Sequence, residues 1–382
     1  MGSSVLSMQG RGRNTRPGLA PARRATSLTS LLVCALALSA SVAVRAAETD
    51  DSLGAGVEER RGIHVMMGAK SAVPEVERLI ETAAALGLNW IILEVNTRFA
   101  YQSHPEVAEP DSMDAADARR LAKLARENDI RLVPQYQCLG HQSWREHIGA
   151  LLRAHPEFNE APGLDPASEG FYCMSWCPNH PDINALVFDL FDELIDAFEA
   201  DAFHVGMDEV FVLGRCERCK GTPNAELFAK AVNDYHAHLV GRRGVEMQMW
   251  GDRFLNAETM GYSDYDASEN DTWQAIDMIP KDIVMCDWHY GPRDDYPSVR
   301  YFQQKGFRVW PAGWNNEEAV RQLIEVSRKD ATEKMLGYLA TTWTSLEDVA
   351  TVLAAEQAKK NNRHLGRVAA CVSLAAELLQ QE

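Results

Sequence analysis

The chain has 382 residues, with 38 Lys and Arg against 55 Asp and Glu and a net charge of −17 at pH 7. Such a polyanion lacks the usual basis for binding nucleic acid or an anionic membrane, because both repel it. Neutral polyols such as sugars fit better, since carboxylates and aromatic faces grip them; nine tryptophans are available, although tryptophan also serves as core.

Residues 1–46 carry six arginines and no acid, then an apolar run from Leu28 to Val44 and a small-residue site at Val44-Arg45-Ala46. This is a signal-peptide pattern, too short for a membrane span, and it predicts export to the periplasm or the extracellular space. Its removal takes the net charge from −17 to −23. Residues 47–60 are acidic, contain Gly54 and Gly56, lack periodicity and read as a linker. No other segment is apolar enough to span a bilayer, so no membrane contact is expected of the mature form.

From residue 61 onward, β-type apolar runs alternate with helical patterns. The first run is Arg61–Met67, followed by a helix over Val73–Leu86. Asn89–Asn96 precedes a helix over Asp114–Asn128. Arg131–Gln137 precedes helical stretches at Trp144–Ala154 and Ile183–Glu199. The fourth run, Ala202–Glu209, leads to a helix over Ala225–Arg242. Val245–Asp252 is the fifth, with the thinnest helical pattern after it. Ile283–Tyr290 is followed by Tyr296–Lys305, Phe307–Trp314 by Glu317–Lys329, and Met335–Trp343 by Leu346–Lys360. Arg367–Gln380 is an extra helix. Eight strand-helix units in residues 61–382, with no low-complexity break, predict an α/β fold: one (β/α)8 TIM barrel with an additional C-terminal helix. Sites in such barrels form at the C-terminal strand ends. Polar and aromatic residues gather there: Glu94, Asn96, Gln137, His141, Asp208, Glu209, Trp250, Asp252, Trp288, Tyr290, Trp314 and Trp343.

The fourth run ends in His204-Val205-Gly206-Met207-Asp208-Glu209. Adjacent acids repel, and a crowded carboxyl can hold a proton near neutrality, as a general acid must. A bare Asp-Glu pair is more often a solvated strand end. Here the flanking residues argue for use. Neighbours on a strand point to opposite faces, so the two can serve one pocket only where the strand ends.

This hexapeptide resembles the His-x-Gly-x-Asp-Glu signature of glycoside hydrolase family 20, the β-N-acetylhexosaminidases. Arg61-Gly62 is similar to the family's sugar-binding Arg-Gly. The segment from Val133 to Gly140-His141 resembles the one that ends in Gly-His after the third strand. The pattern is most similar to the compact hexosaminidase D-like branch. The resemblance implies an exo-acting, retaining enzyme for terminal GlcNAc or GalNAc, with the substrate's acetamide as nucleophile, an oxazolinium intermediate and no catalytic cofactor. It makes Glu209 the acid and base and Asp208 the acetamide anchor. Arg61 would bind sugar hydroxyls, or else form a barrel-bottom salt bridge. His141 would tune Glu209, or else sit satisfied in the core. Tyr290 would donate to the acetamide oxygen. Trp250, Trp288, Trp314 and Trp343 would wall the methyl pocket, although core packing suits each equally. Three positions depart from larger relatives: Met66 and Asn96-Thr97 stand where acids are common, and Ser143 replaces a glutamate past Gly-His. These touch sugar preference and leave the acid pair intact.

Two other functions remain open on the sequence: a sugar-binding barrel without turnover, and a two-carboxylate glycosidase for sugars without acetamide. The cysteines form a second constellation. Cys173 and Cys177 follow the third strand, Cys216 and Cys219 the fourth. The spacing suits a structural four-thiolate zinc, and an exported protein suits disulfides. Cys138, Cys286 and Cys371 read as core. The sequence carries no signal for an oligomeric state.

Overall fold

The computed structural model describes residues 59–168, 170–345 and 363–381. The leader, all but the last two linker residues and the helix expected over Leu346–Lys360 lie outside them. Strands β1 (Arg60–Met66), β2 (Trp90–Glu94) and β3 (Arg131–Cys138) are followed by a small antiparallel hairpin, β4 (Ser143–Trp144) and β5 (His147–Ile148). Then come β6 (Ala202–Gly206), β7 (Glu246–Trp250), β8 (Val284–Trp288), β9 (Arg308–Gly313) and β10 (Gly337–Ser345). Apart from the hairpin, the strands run parallel and close as β1-β10-β9-β8-β7-β6-β3-β2. This is the expected eight-stranded barrel, and Arg60, assigned to the linker on sequence, already belongs to it.

Helices α1 (Val73–Ala85), α2 (Ala115–Glu127), α3 (Ala150–Ala154) and α4 (Ile183–Phe198) fill the first crossovers. They are followed by α5 (Asn224–His236), α6 (Ala257–Met260), α7 (Pro297–Gln304), α8 (Glu317–Lys329) and the extra helix α9 (Arg363–Leu379). Their starts are written locally. Asp114 and Asp117 form a reciprocal capping box on α2, and the Asn316 side chain caps α8, whose acids sit in the first turn and bases in the last. Three expectations need correction. The stretch from Trp144 is helical only from Ala150, because Trp144 pairs with His147 in the hairpin. The helix after β6 changes to a π-helical turn over Ala237–Arg243, which ends at left-handed Gly244. Between β7 and β8 the helical segments are the one-turn α6 and two 3-10 stretches, Asp252–Phe254 and Thr272–Met278. Among the described residues no helix is long and apolar enough to cross a membrane.

Strand alternation divides the core in two. Outward residues such as Ile91, Leu93, Phe203, Val205, Met247 and Met249 pack against the helices. Inward residues fill the barrel in layers. At the N-terminal end the Glu246 carboxylate takes two hydrogen bonds from the Arg60 guanidinium, at 2.8 and 2.9 Å, and one from Arg308 at 2.6 Å. Arg60 also lies 4.1 Å from the Trp90 ring centre. Above this plug come Trp90, Ile92, Val133, Ala202, Val284 and Trp310. A buried polar layer follows, with His64, Glu94, Gln135, His204 and Gln248.

The plug makes a pH-dependent contribution to stability. Burial pushes the Glu246 carboxyl up, but Arg60 and Arg308 bring it down to about 2. A depressed acid contributes fully above its unfolded value and loses that contribution as pH falls toward the folded one. Glu246→Gln, which leaves the buried Arg60 guanidinium and the partly exposed Arg308 without their counter-ion, is expected to cost about 3 kcal/mol at pH 7. In urea melts its deficit against the wild type should shrink between about pH 4.5 and 2; a deficit constant over that range would contradict the ion-pair account.

Candidate active site

The Asp-Glu pair lies just past β6, where the backbone leaves the extended conformation. Gly206, Met207 and Glu209 have φ of 65°, 71° and 50°. The alternation that would send neighbouring side chains to opposite faces stops here, and both carboxylates turn to one imidazole. His141 Nε2 is 3.1 Å from a Glu209 oxygen and 3.5 Å from an Asp208 oxygen, between the two rather than aligned on either. Donor atoms of the three residues all lie within 4.8 Å of one another. Left-handed φ at Asn96, Leu139, His141 and Trp343 marks other strand ends at the same mouth. Such conformations cost about 1–3 kcal/mol each and persist only where packing over-determines them.

Gly206 is explained by what crosses it. The Gln137 side chain, from the end of β3, passes over its Cα and donates to Oδ1 of Asp208. A Cβ on Gly206 would occupy the position of the Gln137 amide oxygen. Gly140 is similar, since a Cβ there would lie 3.0 Å from the Asp208 carbonyl oxygen. The Gln137 backbone N–H is in turn held by Asn96 at 2.7 Å, and the Asn96 amide donates to Glu94 at 2.7 Å. Glu94 also accepts from Gln135 at 2.9 Å and meets His64 at 3.1 Å. A chain of polar contacts thus runs from β1 through β2 and β3 to Asp208. His204 stabilises the same turn, its Nδ1 accepting the Gly206 N–H at 3.0 Å. Burial and the neighbouring His64 hold the His204 imidazole well below its ordinary value, in the neutral form this acceptor role needs.

On the other side, Asp252 anchors Glu209. One of its oxygens accepts the Glu209 backbone N–H at 2.9 Å and Arg253 Nε at 2.7 Å, and the other accepts Trp288 Nε1–H at 3.3 Å. Burial pushes the Asp252 carboxyl up to about 7, with the Arg253 cation opposing and the Asp208 charge adding. Arg253 is fully buried and spends its guanidinium on loop carbonyls, including Tyr265 O at 3.0 Å.

The charges are mutually supporting. Burial alone would lower the His141 imidazole, but Asp208 and Glu209 raise it well above its ordinary value. Burial alone would raise Asp208, but His141 and the Gln137 amide hold it below the usual carboxylate range. The site at neutral pH therefore holds an imidazolium beside an ionised Asp208.

The other sequence candidates divide. Tyr290 and Trp343 are joined, the indole N–H donating to the Tyr290 hydroxyl at 2.6 Å. Tyr290 stacks on Trp288 with ring centres 4.9 Å apart and meets Trp314 edge-on. Trp250 lies one layer lower, fully buried against His204, His64 and Trp343, so it forms the floor and not the wall. Arg61 is not at the mouth. It is the second residue of β1, at the opposite end of the barrel, and has outward parity. Its Nε donates to Gly87 O at 2.6 Å, with Glu59 3.9 Å away. Of its two readings the barrel-bottom contact is the one present. Cys173 also departs from expectation. Its thiol faces Glu209 O at 3.5 Å, while Cys177, Cys216 and Cys219 gather elsewhere with Glu160.

Some residues carried no sequence signal. Tyr172 faces Glu209, and burial together with that carboxylate keeps its phenol protonated. Its ring meets His141, Trp144, Phe211 and Tyr265 edge-on, and Trp144 and Tyr265 are exposed. Gln137 and Asp252 were placed at strand ends by the sequence, but their partners come from other strands.

Two outcomes test this geometry. Gly206→Ala and Gly261→Ala introduce a Cβ at nearly the same φ, 65° and 66°, but only the first meets neighbouring atoms. Gly206→Ala should cost about 1–3 kcal/mol more than Gly261→Ala in chemical unfolding, the excess being the overpacking cost. Equal costs would remove the Gln137 contact as the reason for glycine. For His141, a raised imidazole contributes stability fully below about 6.5 and loses it as pH rises through the folded value. The stability gap between wild type and His141→Gln should be flat from about pH 6.5 down to about pH 4.5, below which the partner carboxylates protonate, and should close progressively above neutrality; a gap that widens there would refute the charge assignment.

Comparison with known proteins gives the chain a family. The model of "Glycosyl hydrolase family 20, catalytic domain" matches residues 96–355, more than half of the chain and including the Asp-Glu pair. Hexosaminidase D of Bos taurus is 25% identical over 174 residues, 45% of this chain and 47% of that protein. A lacto-N-biosidase of Bifidobacterium bifidum is 21% identical over 223 residues, 55% of this chain and 19% of that protein. The chain thus spans about half the length of hexosaminidase D and less of the second relative. In fold it is similar to a Flavobacterium johnsoniae chitobiase (TM-score 0.57, 18% identity, 85% of this chain and 52% of that one). It is also similar to a Bacteroides fragilis β-N-acetylhexosaminidase (TM-score 0.58, 13% identity, 83% and 66%). The chain belongs to glycosyl hydrolase family 20.

Proposed function

We propose that this protein is an exo-acting, retaining β-N-acetylhexosaminidase that removes terminal GlcNAc or GalNAc by substrate-assisted catalysis. The observation that carries the proposal is the placement of Asp208 and Glu209 on one side of the mouth, both beside one imidazole. A retaining pair that acts by double displacement must flank the sugar, with its carboxyls about 5–5.5 Å apart. Two neighbours on the same side suit unlike tasks. Glu209 gives its proton to the glycosidic oxygen as the acetamide oxygen bonds to the anomeric carbon and the leaving group departs. It then takes a proton from the water that opens the oxazolinium, and two inversions give net retention. Asp208, kept ionised by His141 and Gln137, accepts the acetamide N–H and balances the positive charge that develops on that group. Tyr290, oriented by the N–H it receives from Trp343, donates its hydroxyl proton to the acetamide oxygen once substrate is bound. Trp288 and Trp343 supply apolar surface for the methyl group, with Trp250 beneath.

The test is release of chromophore from aryl N-acetyl-β-glucosaminide and aryl N-acetyl-β-galactosaminide. Glu209→Gln is expected to lower kcat by about 10²–10⁴-fold. A thiazoline mimic of the oxazolinium should inhibit competitively, and plain β-glucosides should not turn over. Absence of turnover on any N-acetylated amino sugar would sink the proposal and leave a sugar-binding barrel. Turnover of plain glucosides without thiazoline inhibition would replace it with a two-carboxylate mechanism.

A further inference from the structure

We infer that Cys177, Cys216, Cys219 and Glu160 form a structural zinc site that joins the loops after β3 and β6. Cys177 lies 3.5 Å from Cys219 and 3.3 Å from Cys216, sulfur to sulfur. Donor atoms of all four residues lie within 4.8 Å of one another, and all four residues are buried. Zn–S bonds of about 2.3 Å at a tetrahedral centre place sulfurs about 3.8 Å apart, so the cluster needs to open by only a few tenths of an ångström.

Glu160 supplies the independent observation. It has no exposed surface. One carboxylate oxygen accepts the Arg215 backbone N–H at 3.0 Å, and the other has no hydrogen-bond partner. A buried carboxylate oxygen without a partner is costly unless a cation meets it. The Arg215 bond orients the carboxylate, as groups behind a ligand commonly do.

Disulfides fit less well. Cys177 is almost equally near two sulfurs and could bond to only one. That would leave a buried thiol and leave Glu160 unmatched. Three thiolates and a carboxylate at tetrahedral separation suit zinc, and four protein ligands close the site against a catalytic role. On binding, each thiol releases its proton to solvent, and no oxidant is needed. The clamp holds together the loop that carries Tyr172 and Cys173 and the loop that begins at Glu209. It does not depend on the proposed reaction.

The test is metal analysis of the full chain, purified without chelator in zinc-containing buffer and then desalted. The expected result is about one zinc per chain, retained by Cys173→Ser and reduced at least tenfold by Cys219→Ser and by Glu160→Gln. Removal of zinc from the wild type with a chelator should lower Tm by roughly 5 °C or more. The inference is overturned if the wild type takes up no stoichiometric zinc, if peptide mapping finds Cys177 in a disulfide, or if Cys173→Ser loses the metal while Glu160→Gln keeps it. Stoichiometry is read without substrate, so failure here is separate from failure of the glycosidase proposal.

Discussion

The Gln137 amide reaches Asp208 across the bare Cα of Gly206, and the mouth of the barrel is arranged around that contact. It ties the ends of β3 and β6 together at side-chain level, just where the ladder between them becomes irregular. The contact requires glycine at 206, a left-handed turn through Met207 and a fixed Gln137, which Asn96 and Glu94 provide from β2. Once these are in place, Asp208 and Glu209 have little choice of direction. The strain at the strand ends is retained because the neighbouring strands over-determine it.

Electrostatics complete what packing begins. Three acids, Asp208, Glu209 and Asp252, converge where water is largely excluded. Two cations make this tolerable, the partly buried His141 above the pair and the fully buried Arg253 beneath Asp252. Neither could be lost without leaving a buried charge exposed to its neighbours, the costliest kind of defect in a protein interior. The arrangement also separates the roles of the pair. Asp208 receives an amide and an imidazolium and is held as an anion. Glu209 is anchored through its backbone N–H by Asp252, which leaves its carboxylate facing His141 and Tyr172.

Stability and chemistry occupy opposite ends of the same barrel. The Arg60–Glu246–Arg308 plug and the indoles above it close the N-terminal end. The C-terminal end carries the strained turns, the long loops and the titratable cluster. The sulfur and carboxylate cluster at Glu160 lies on the loops and not in the barrel, so it bears on how firmly the mouth is framed and not on whether the barrel forms.

The order and number of the strands, the ends of most helices and the location of the Asp-Glu pair were legible in the sequence. They depend on local signals: period-two apolar runs, caps such as Asp114 and Asn316, and a strand that ends in two acids. One exception was local too, since the hairpin at Ser143–Ile148 takes up the first part of the stretch expected to be helical from Trp144. Other features required the tertiary structure. Arg61 and Arg60 differ by one residue, yet strand parity and barrel end decide that one faces a crossover and the other the plug. Cys173 and Glu160 exchanged places in the metal-like cluster because loop paths, not residue spacing, determine which side chains meet. The partnerships of Gln137 with Asp208 and of Asp252 with Glu209 span 71 and 43 residues. Periodicity and capping act over a turn or a strand, so the sequence alone determined the barrel and its acid pair. Contacts between separate loops and strand ends exist only once the barrel has closed, and they decided how that pair is held.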